Sequence, residues 1–222
     1  MKVIITGATG MIGKGVLLEC LDDKRIKEVL LVNRNSLGME HPKLKEVLLK
    51  DFSDPSSIKD NLKGYDVVYF CLGVSAGGMN EEDYTKITYG YTINFAEAYK
   101  EVNPEGSFFY VSGQGTDSSE KGRMMWARVK GKTENDLMKM GFKNALMFRP
   151  GGIRPMRGIK SRTKSYQRVY NIINPFWGFF EWIMGDSLTN TTTIGVAMIN
   201  GLVNNAGTKV LEPKDINQFA RA

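Results

Sequence analysis

The sequence predicts an α/β fold of the Rossmann type, a doubly wound parallel sheet within a three-layer α/β/α arrangement. Three observations predict it: short apolar runs recur along the chain, helical patterns lie between several of them, and a glycine-rich turn follows the first run. Near-continuous hydrophobicity in short runs is typical of strands covered on both faces. Because parallel strands need crossover connections, helices are expected on both sides of the sheet.

The predicted elements alternate regularly up to residue 150. Apolar runs predict strands at residues 2–6, 29–33, 47–49, 67–72, 107–112 and 145–149. Helical patterns predict helices at residues 13–22, 56–62, 82–102 and 122–140. Turn signals at Asp54-Pro55 and Asn103-Pro104 separate neighbouring elements.

After Pro150 the alternation lapses, and residues 151–185 are interpreted as a small substrate-side elaboration over the C-terminal edge of the sheet. Asn190 is expected to cap a helix that runs to residue 202. A short edge strand at residues 210–213 and a terminal helical turn at 214–220 complete the chain. No linker or repeat divides it, so residues 1–222 are predicted to form a single domain.

Composition limits the classes of function. The 222 residues carry a formal net charge of +6, which suits an anionic ligand, and without a recognition motif no nucleic-acid partner is expected. Cys20 and Cys71 form no CxxC and predict a reducing, cytoplasmic setting. The N-terminus lacks signal-peptide features, and the apolar run at 175–184 is too short to span a bilayer. His41 is the single histidine, and no metal site is expected.

The glycine turn after the first strand predicts a dinucleotide site. Gly7, Gly10 and Gly13 follow one another at three-residue steps. The first allows a sharp turn, the second allows a pyrophosphate to approach, and the third allows the helix to pack closely. Backbone N–H groups and the helix dipole favour the diphosphate at this helix N-terminus. The expected site includes the intervening Thr9, Met11 and Ile12; the alternative is a tight turn without a ligand.

The end of the second strand favours NADP(H) over NAD(H). An acid that would hold the ribose 2′-hydroxyl is absent here, and Arg34 offers a guanidinium that binds a 2′-phosphate. The alternative is an arginine in a solvated loop. Other residues expected to border the cofactor follow neighbouring strands: Asn33, Asp51, Phe52, Cys71, Leu72 and Gly73.

Trp126 and Lys130 are four residues apart and share one face of a predicted helix. Together with the glycine turn, these two positions indicate a known protein family. The chain resembles the atypical branch of the short-chain dehydrogenase/reductase superfamily over nearly its whole length, and within it the Tat-interacting oxidoreductase group. The resemblance depends on Gly7, Gly10, Gly13, Arg34, Cys71-Leu72-Gly73, Ser112, Lys130-Gly131-Lys132-Thr133-Glu134 and Phe148-Arg149-Pro150-Gly151.

The resemblance implies NADPH binding and a role for each matching residue. Ser112 would orient a substrate carbonyl, and Lys130 would bind the nicotinamide ribose and lower the pKa of the catalytic acid. Pro150 and the backbone after it, including Gly151 and Ile153, would lie beside the nicotinamide. Related bacterial sequences are often labelled nucleoside-diphosphate-sugar epimerases.

The family's catalytic tyrosine belongs at position 126, where this chain has tryptophan. An indole N–H is too weak an acid to deliver a proton, so three interpretations remain. A reductase would take its proton from water, from Ser112 or from Tyr166 or Tyr170, or would reduce a quinone or flavin. Alternatively, the chain is a non-catalytic NADP(H)-binding redox sensor or partner-binding regulator, or Trp126 packs in a fold without a ligand. An epimerase is less expected, because that chemistry also uses the tyrosine.

Two segments of the elaboration each have a structural and a functional interpretation. The basic run is a solvated surface or an anion-attracting rim; it comprises Arg154, Arg157, Lys160, Arg162, Lys164 and Arg168. Residues 175–184 hold five aromatic side chains within seven positions. They form a buried helix, a lid over an apolar substrate, or a homodimer or membrane-surface contact. The expected partner is a small molecule, anionic or apolar.

Overall fold

The computed structural model describes residues 1–160, 185–204 and 206–222. The first half of the chain forms β1 (Lys2–Thr6), α1 (Met11–Asp22), β2 (Glu28–Asn33), β3 (Leu44–Leu48), a 3₁₀ helix (Ser56–Leu62) and β4 (Val67–Phe70). The next elements are α2 (Glu81–Thr85), a π-helical turn (Lys86–Gly90), α3 (Tyr91–Val102), β5 (Ser107–Val111), α4 (Met125–Lys139) and β6 (Ala145–Phe148). The C-terminal part contains β7 (Gly152–Arg154), a 3₁₀ turn (Gly185–Ser187), β8 (Leu188–Asn190), α5 (Thr191–Val203), β9 (Thr208–Leu211) and α6 (Pro213–Arg221).

The described residues form a seven-stranded sheet in the order β3-β2-β1-β4-β5-β6-β9. Every pair of neighbours is parallel. The predicted Rossmann-type α/β fold is therefore confirmed. The chain moves outward from β1 to β3 and then returns to β4 on the other side of β1, so the crevice between β1 and β4 is the topological switch point.

Side chains of each strand pack on both faces of the sheet. Val3 and Ile5 face the layer that contains α1 and α5, whereas Ile4 between them faces Phe52 and Phe95 on the other side. This two-sided burial explains why β1 is almost entirely apolar. In contrast, β3 lies at the edge of the sheet and alternates between half-buried and exposed residues.

Several boundaries differ from the predicted ones. The predicted helix at 82–102 is interrupted by the π-helical turn, and the predicted strand at 47–49 runs over Leu44–Leu48 because an edge strand needs only one apolar face. The helix predicted from residue 122 begins at Met125, because Met124 has extended backbone with φ −83° and ψ 114°. Within the described part of the chain, no helix is long and apolar enough to cross a membrane.

The elaboration after Pro150 begins with β7, which pairs in parallel with β8. The predicted Asn190 cap is present, because its side chain accepts the N–H of Thr193 at 2.7 Å. The aromatic run at 175–184 lies outside the described residues, as do Arg162, Lys164, Tyr166, Arg168 and Tyr170.

Candidate functional site

The candidate site lies at the carboxyl ends of β1, β4, β5 and β6, around the switch point. Four connections meet there: the glycine turn after β1 and the loops that begin at residues 71, 112 and 149. Ligands of open α/β sheets bind at this position because the loops from both sides of the switch point leave a crevice between them.

The three glycines form a turn that permits no side chains at its two ends. Gly7 has φ +69°, and a Cβ there would lie 2.6 Å from the carbonyl oxygen of Cys71. A Cβ at Gly13 would lie 2.4 Å from the carbonyl oxygen of Gly7, so α1 packs directly on the turn. The N–H of Gly10 donates to the same carbonyl at 2.8 Å and closes the turn.

The N-terminus of α1 fits a pyrophosphate. The N–H of Lys14 bonds to the Gly10 carbonyl at 3.0 Å and is the first donor used within the helix. The N–H groups of Met11, Ile12 and Gly13 precede it, so helix geometry leaves them directed beyond the N-terminus, next to Thr9. The first turn carries no acidic side chain that would repel an anion.

The end of β4 forms the wall opposite this turn. The N–H of Leu72 donates to the Thr6 hydroxyl at 3.3 Å and ties the two strand ends together. Gly73 is exposed, and a Cβ there would meet nothing within 4 Å, which leaves space for a ligand. Burial raises the pKa of the Cys71 thiol to about 12, so this thiol stays protonated.

Two basic residues lie together at the end of β2, where a 2′-phosphate is expected. Arg34 is exposed, and Lys50 Nζ donates to its carbonyl oxygen at 2.9 Å. The sequence prediction missed Lys50 because it follows a different strand. Asn33 is buried and donates to Glu46 at 3.3 Å, so its side chain holds the loop in place. Burial raises the pKa of Glu46, but hydrogen bonds from this loop outweigh burial and lower it overall.

Asp51 and Phe52, expected beside the adenine, have different surroundings. The Asp51 carboxylate is exposed and accepts the N–H of Ser53 at 2.8 Å, which lowers its pKa. Phe52 is fully buried and stacks on Phe95 with ring centroids 5.9 Å apart. Its ring is therefore part of the core, and only its backbone remains available to a cofactor.

The Ser112 hydroxyl points into the protein. Its Oγ lies 2.5 Å from Glu134 Oε1 and 3.0 Å from the Phe148 carbonyl oxygen, and the residue is 6% exposed. A carboxylate is the stronger acceptor and takes the single hydroxyl proton. The carbonyl-orienting role of Ser112 stays a prediction that requires this hydroxyl to turn toward the crevice.

A buried ion pair holds Glu134 in this position. Arg149, at the end of β6, donates to both carboxylate oxygens, with its Nη2 2.5 Å from Oε2 and its Nε 3.1 Å from Oε1. It also donates to Ser118 at 2.6 Å and to Glu212 at 3.1 Å. Because Glu134 is fully buried, its charge is stabilised only while Arg149 stays paired with it.

Lys130 and Trp126 lie on the crevice side of α4. Lys130 Nζ donates to the carbonyl oxygen of Ser112 at the end of β5. Burial lowers the pKa of Lys130 to about 8, although the nearby Glu134 raises it. Trp126 is half-buried, and its ring edge lies 3.3 Å from the position of a Cβ on Gly115. The helix therefore presents an ammonium and an indole to the same loop.

Gln114 is an exposed polar residue of this loop that the sequence prediction missed. Its N–H donates to the Pro150 carbonyl oxygen at 2.9 Å, and its Oε1 lies 2.6 Å from the position of a Cβ on Gly151. Its position two residues after Ser112, in the loop that follows β5, could have identified it from the sequence. Ile153, in contrast, is half-buried against the core on the α1 side of the sheet.

Arg157, near the start of the basic run, forms ion pairs with two carboxylates. Arg157 Nη1 lies 3.2 Å from Glu19, and its Nη2 lies 2.8 Å from Asp22, both on α1. The hypothesis of an anion-attracting rim is therefore not supported at Arg157, because the guanidinium already has carboxylate partners.

Comparisons with known proteins agree with this geometry. A family model described as NAD(P)H-binding matches residues 7–145. The mitochondrial protein FMP52 of Debaryomyces hansenii is 30% identical over 182 residues, which cover 80% of this chain and 75% of that protein. Protein HTATIP2 of Rattus norvegicus is 27% identical over 207 residues, covering 91% of this chain and 81% of that protein.

The fold also matches solved structures. An oxidoreductase of the short-chain dehydrogenase/reductase family from Burkholderia thailandensis superposes with a TM-score of 0.68 at 15% sequence identity. The match covers 96% of this chain and 92% of that one. At this level of identity the similarity shows the fold alone.

Proposed function

Because the chain belongs to the NAD(P)H-binding family of atypical short-chain dehydrogenases/reductases and is similar to HTATIP2 and FMP52, we propose that it is an NADP(H)-dependent reductase of a small molecule. The observation that carries the proposal is that the glycine turn and the Lys130 ammonium face one crevice at the switch point. A bound nicotinamide cofactor supplies a hydride. The residues of the chain bind the cofactor, orient the acceptor and supply the proton.

The preference for NADP(H) is supported by the cations at the end of β2. The Arg34 guanidinium binds a 2′-phosphate through two hydrogen bonds, and the Lys50 ammonium beside it adds positive charge. The Glu46 carboxylate on the neighbouring β3 is directed into its own hydrogen bonds with the loop.

Calorimetric titration with NADPH and NADH tests this preference. We expect wild-type protein to bind NADPH more tightly, and Arg34→Ala to lose about tenfold in NADPH affinity with little change for NADH, as removal of one charge-assisted contact implies. Arg25→Ala is the matched control, because Arg25 pairs with Asp23 at the opposite edge of the sheet. Equal affinities in wild-type protein would contradict the preference, and binding of neither cofactor would contradict the proposed function.

The acceptor is proposed to be an apolar or aromatic carbonyl compound or quinone. The half-buried Trp126 ring lies beside Gly115, and Met124, just before α4, is 55% exposed, so both offer apolar surface to an acceptor. The side-chain amide of Gln114 can donate a hydrogen bond to a carbonyl oxygen. The Ser112 hydroxyl is directed at Glu134 and does not make this contact.

A second candidate function is NADP(H) binding without turnover, as a redox sensor or partner-binding regulator. The engagement of Ser112 by Glu134 favours it, together with Trp126 at the tyrosine position. Tight NADPH binding with no oxidation of NADPH by any carbonyl or quinone would support this candidate against the reductase.

The proposed location is the cytoplasm, because the free Cys20 and Cys71 fit a reducing compartment. The relative from Debaryomyces hansenii is named as a mitochondrial protein. Cell fractionation tests the proposal: recovery in the cytosol would support it, and recovery with mitochondria would contradict it.

A further inference from the structure

Lys130 places its ammonium at the carboxyl end of β5, where the candidate site lies. It follows Trp126 by one turn on the same face of α4, and its Nζ reaches the carbonyl oxygen of Ser112. The Nζ is also 3.9 Å from the position of a Cβ on Gly113. An ammonium carries three protons, so one bond to Ser112 leaves two directed elsewhere.

Other groups of the described crevice are poor donors. The Ser112 hydroxyl is engaged by Glu134, and an indole such as that of Trp126 does not ionise in the working range. Hydrogen bonds from Ser119 and the nearby backbone lower the pKa of Asp117, which therefore stays ionised. Burial keeps the Cys71 thiol protonated, with a pKa of about 12.

The surroundings of Lys130 make its ammonium a usable acid. Burial lowers its pKa to about 8, and an acid of this strength is mostly protonated at neutral pH yet releases its proton readily. The charged group that acts on Lys130 is Glu134, one turn later on α4. Titratable groups of the neighbouring elements are Arg149 after β6, Tyr110 on β5, Tyr84 on α2, Tyr89 in the π-helical turn and Asp117 in the loop. Arg149 neutralises Glu134, and burial raises the pKa of all three tyrosines, so they stay uncharged.

We propose that Lys130 itself donates the proton to the acceptor oxygen, in the place of the tyrosine that this chain lacks. The carbonyl carbon accepts the hydride that the cofactor supplies, the carbonyl π electrons move to oxygen, and that oxygen takes a proton from the Lys130 ammonium. The resulting neutral amine regains its proton from water. The balance is one carbonyl, one hydride and one proton to one alcohol. This inference rests on the proposed reductase function.

Lys130→Arg separates proton donation from positive charge. Arginine keeps the cation beside the cofactor but does not release a proton near neutral pH, because its pKa lies above about 12. We expect NADPH affinity by calorimetry to change less than about threefold, whereas kcat with 4-nitrobenzaldehyde falls about 10²-fold. Wild-type kcat should decrease above a pH of about 8, and this alkaline limb should be absent in Lys130→Arg. Lys132→Arg is the control, because Lys132 pairs with Asp136 on the surface of α4.

A titration of the cofactor-free protein provides a readout that does not depend on turnover. In protein labelled with ¹³C at lysine Cε, one resonance should titrate near pH 8 and be absent from Lys130→Arg. If every lysine titrates near about 10.5, the inference is overturned.

The kinetic outcomes are also distinguishable. If Lys130→Arg keeps the turnover and the alkaline limb of the wild-type protein, this inference is overturned and the reductase function still stands. Wild-type protein that binds NADPH but reduces neither 4-nitrobenzaldehyde nor 9,10-phenanthrenequinone overturns the reductase function and this inference together.

Discussion

The two ends of the crevice are built differently. At the cofactor end, the pyrophosphate site consists of backbone atoms of one continuous turn, and Gly7 and Gly13 are needed because neighbouring backbone carbonyls leave no room for a Cβ. At the catalytic end, side chains from α4, β5 and β6 form it, and the direction of Ser112 depends on Glu134 and Arg149. The first is a local property of the sequence, whereas the second arises only after the sheet has formed.

The difference shows why the two ends tolerate different changes. The pyrophosphate site depends on backbone atoms and on its glycines, so cofactor binding can persist while the chemistry changes. A network of buried side chains depends on every member, because each unpaired charge is costly. The tryptophan at position 126 is a substitution at the second kind of site, next to a cofactor end that keeps all its glycines.

The largest expected effect comes from breaking the network at Arg149. Arg149→Met leaves the fully buried Glu134 without its cation, and we expect the free energy of unfolding to fall by about 3–5 kcal/mol in urea denaturation. Arg221→Met removes an exposed ion pair with Asp186 and should change the free energy of unfolding by less than about 1 kcal/mol. Equal effects of the two substitutions would show that the buried pair does not hold the catalytic end together.

Trp126→Tyr tests whether the catalytic end keeps the register of its family. Position 126 lies one turn before Lys130 on the same face, so a phenol placed there has the ammonium within reach. We expect carbonyl reduction to rise by up to about 10²-fold, the usual contribution of a positioned acid. Trp126→Phe is the control, because it changes the ring without adding a hydroxyl. No gain of the tyrosine variant over the phenylalanine variant would count against the register.

The sequence could predict the fold and the glycine turn because both depend on local patterns. Apolar runs of the right length gave the strands, and glycine spacing gave the turn that Gly7 and Gly13 form. The burial of the Phe52 ring was not predictable, because its partner Phe95 lies on a helix more than forty residues later. The proximity of Lys50 to Arg34 was missed for the same reason, since it requires two strands to be paired.

The catalytic end was the least predictable part. Ser112, Lys130 and Arg149 were identified from the family resemblance, but the contact of the serine with Glu134 depends on the crossing of α4 over the sheet. Helix spacing indicates which residues share a face and not which neighbour that face meets. The position of Gln114 likewise depends on the approach of the residue 149–152 loop.

Gly13→Ala tests the backbone nature of the cofactor end and has a smaller expected effect on stability than Arg149→Met. Its methyl group would meet the carbonyl of Gly7 at 2.4 Å, and backbone atoms cannot rotate away as a side chain does. We expect the free energy of unfolding to fall by about 1–3 kcal/mol as α1 moves away from the turn. NADPH affinity should fall at least about tenfold, since the displaced N–H groups no longer converge on the pyrophosphate. Gly90→Ala is the matched control: a Cβ there would lie 4.0 Å from the Thr85 carbonyl oxygen, in helical backbone that alanine favours, so stability should stay equal or rise. If Gly13→Ala binds NADPH as tightly as Gly90→Ala, the cofactor does not lie on the N-terminus of α1, and the contrast between a backbone site and a side-chain site is wrong.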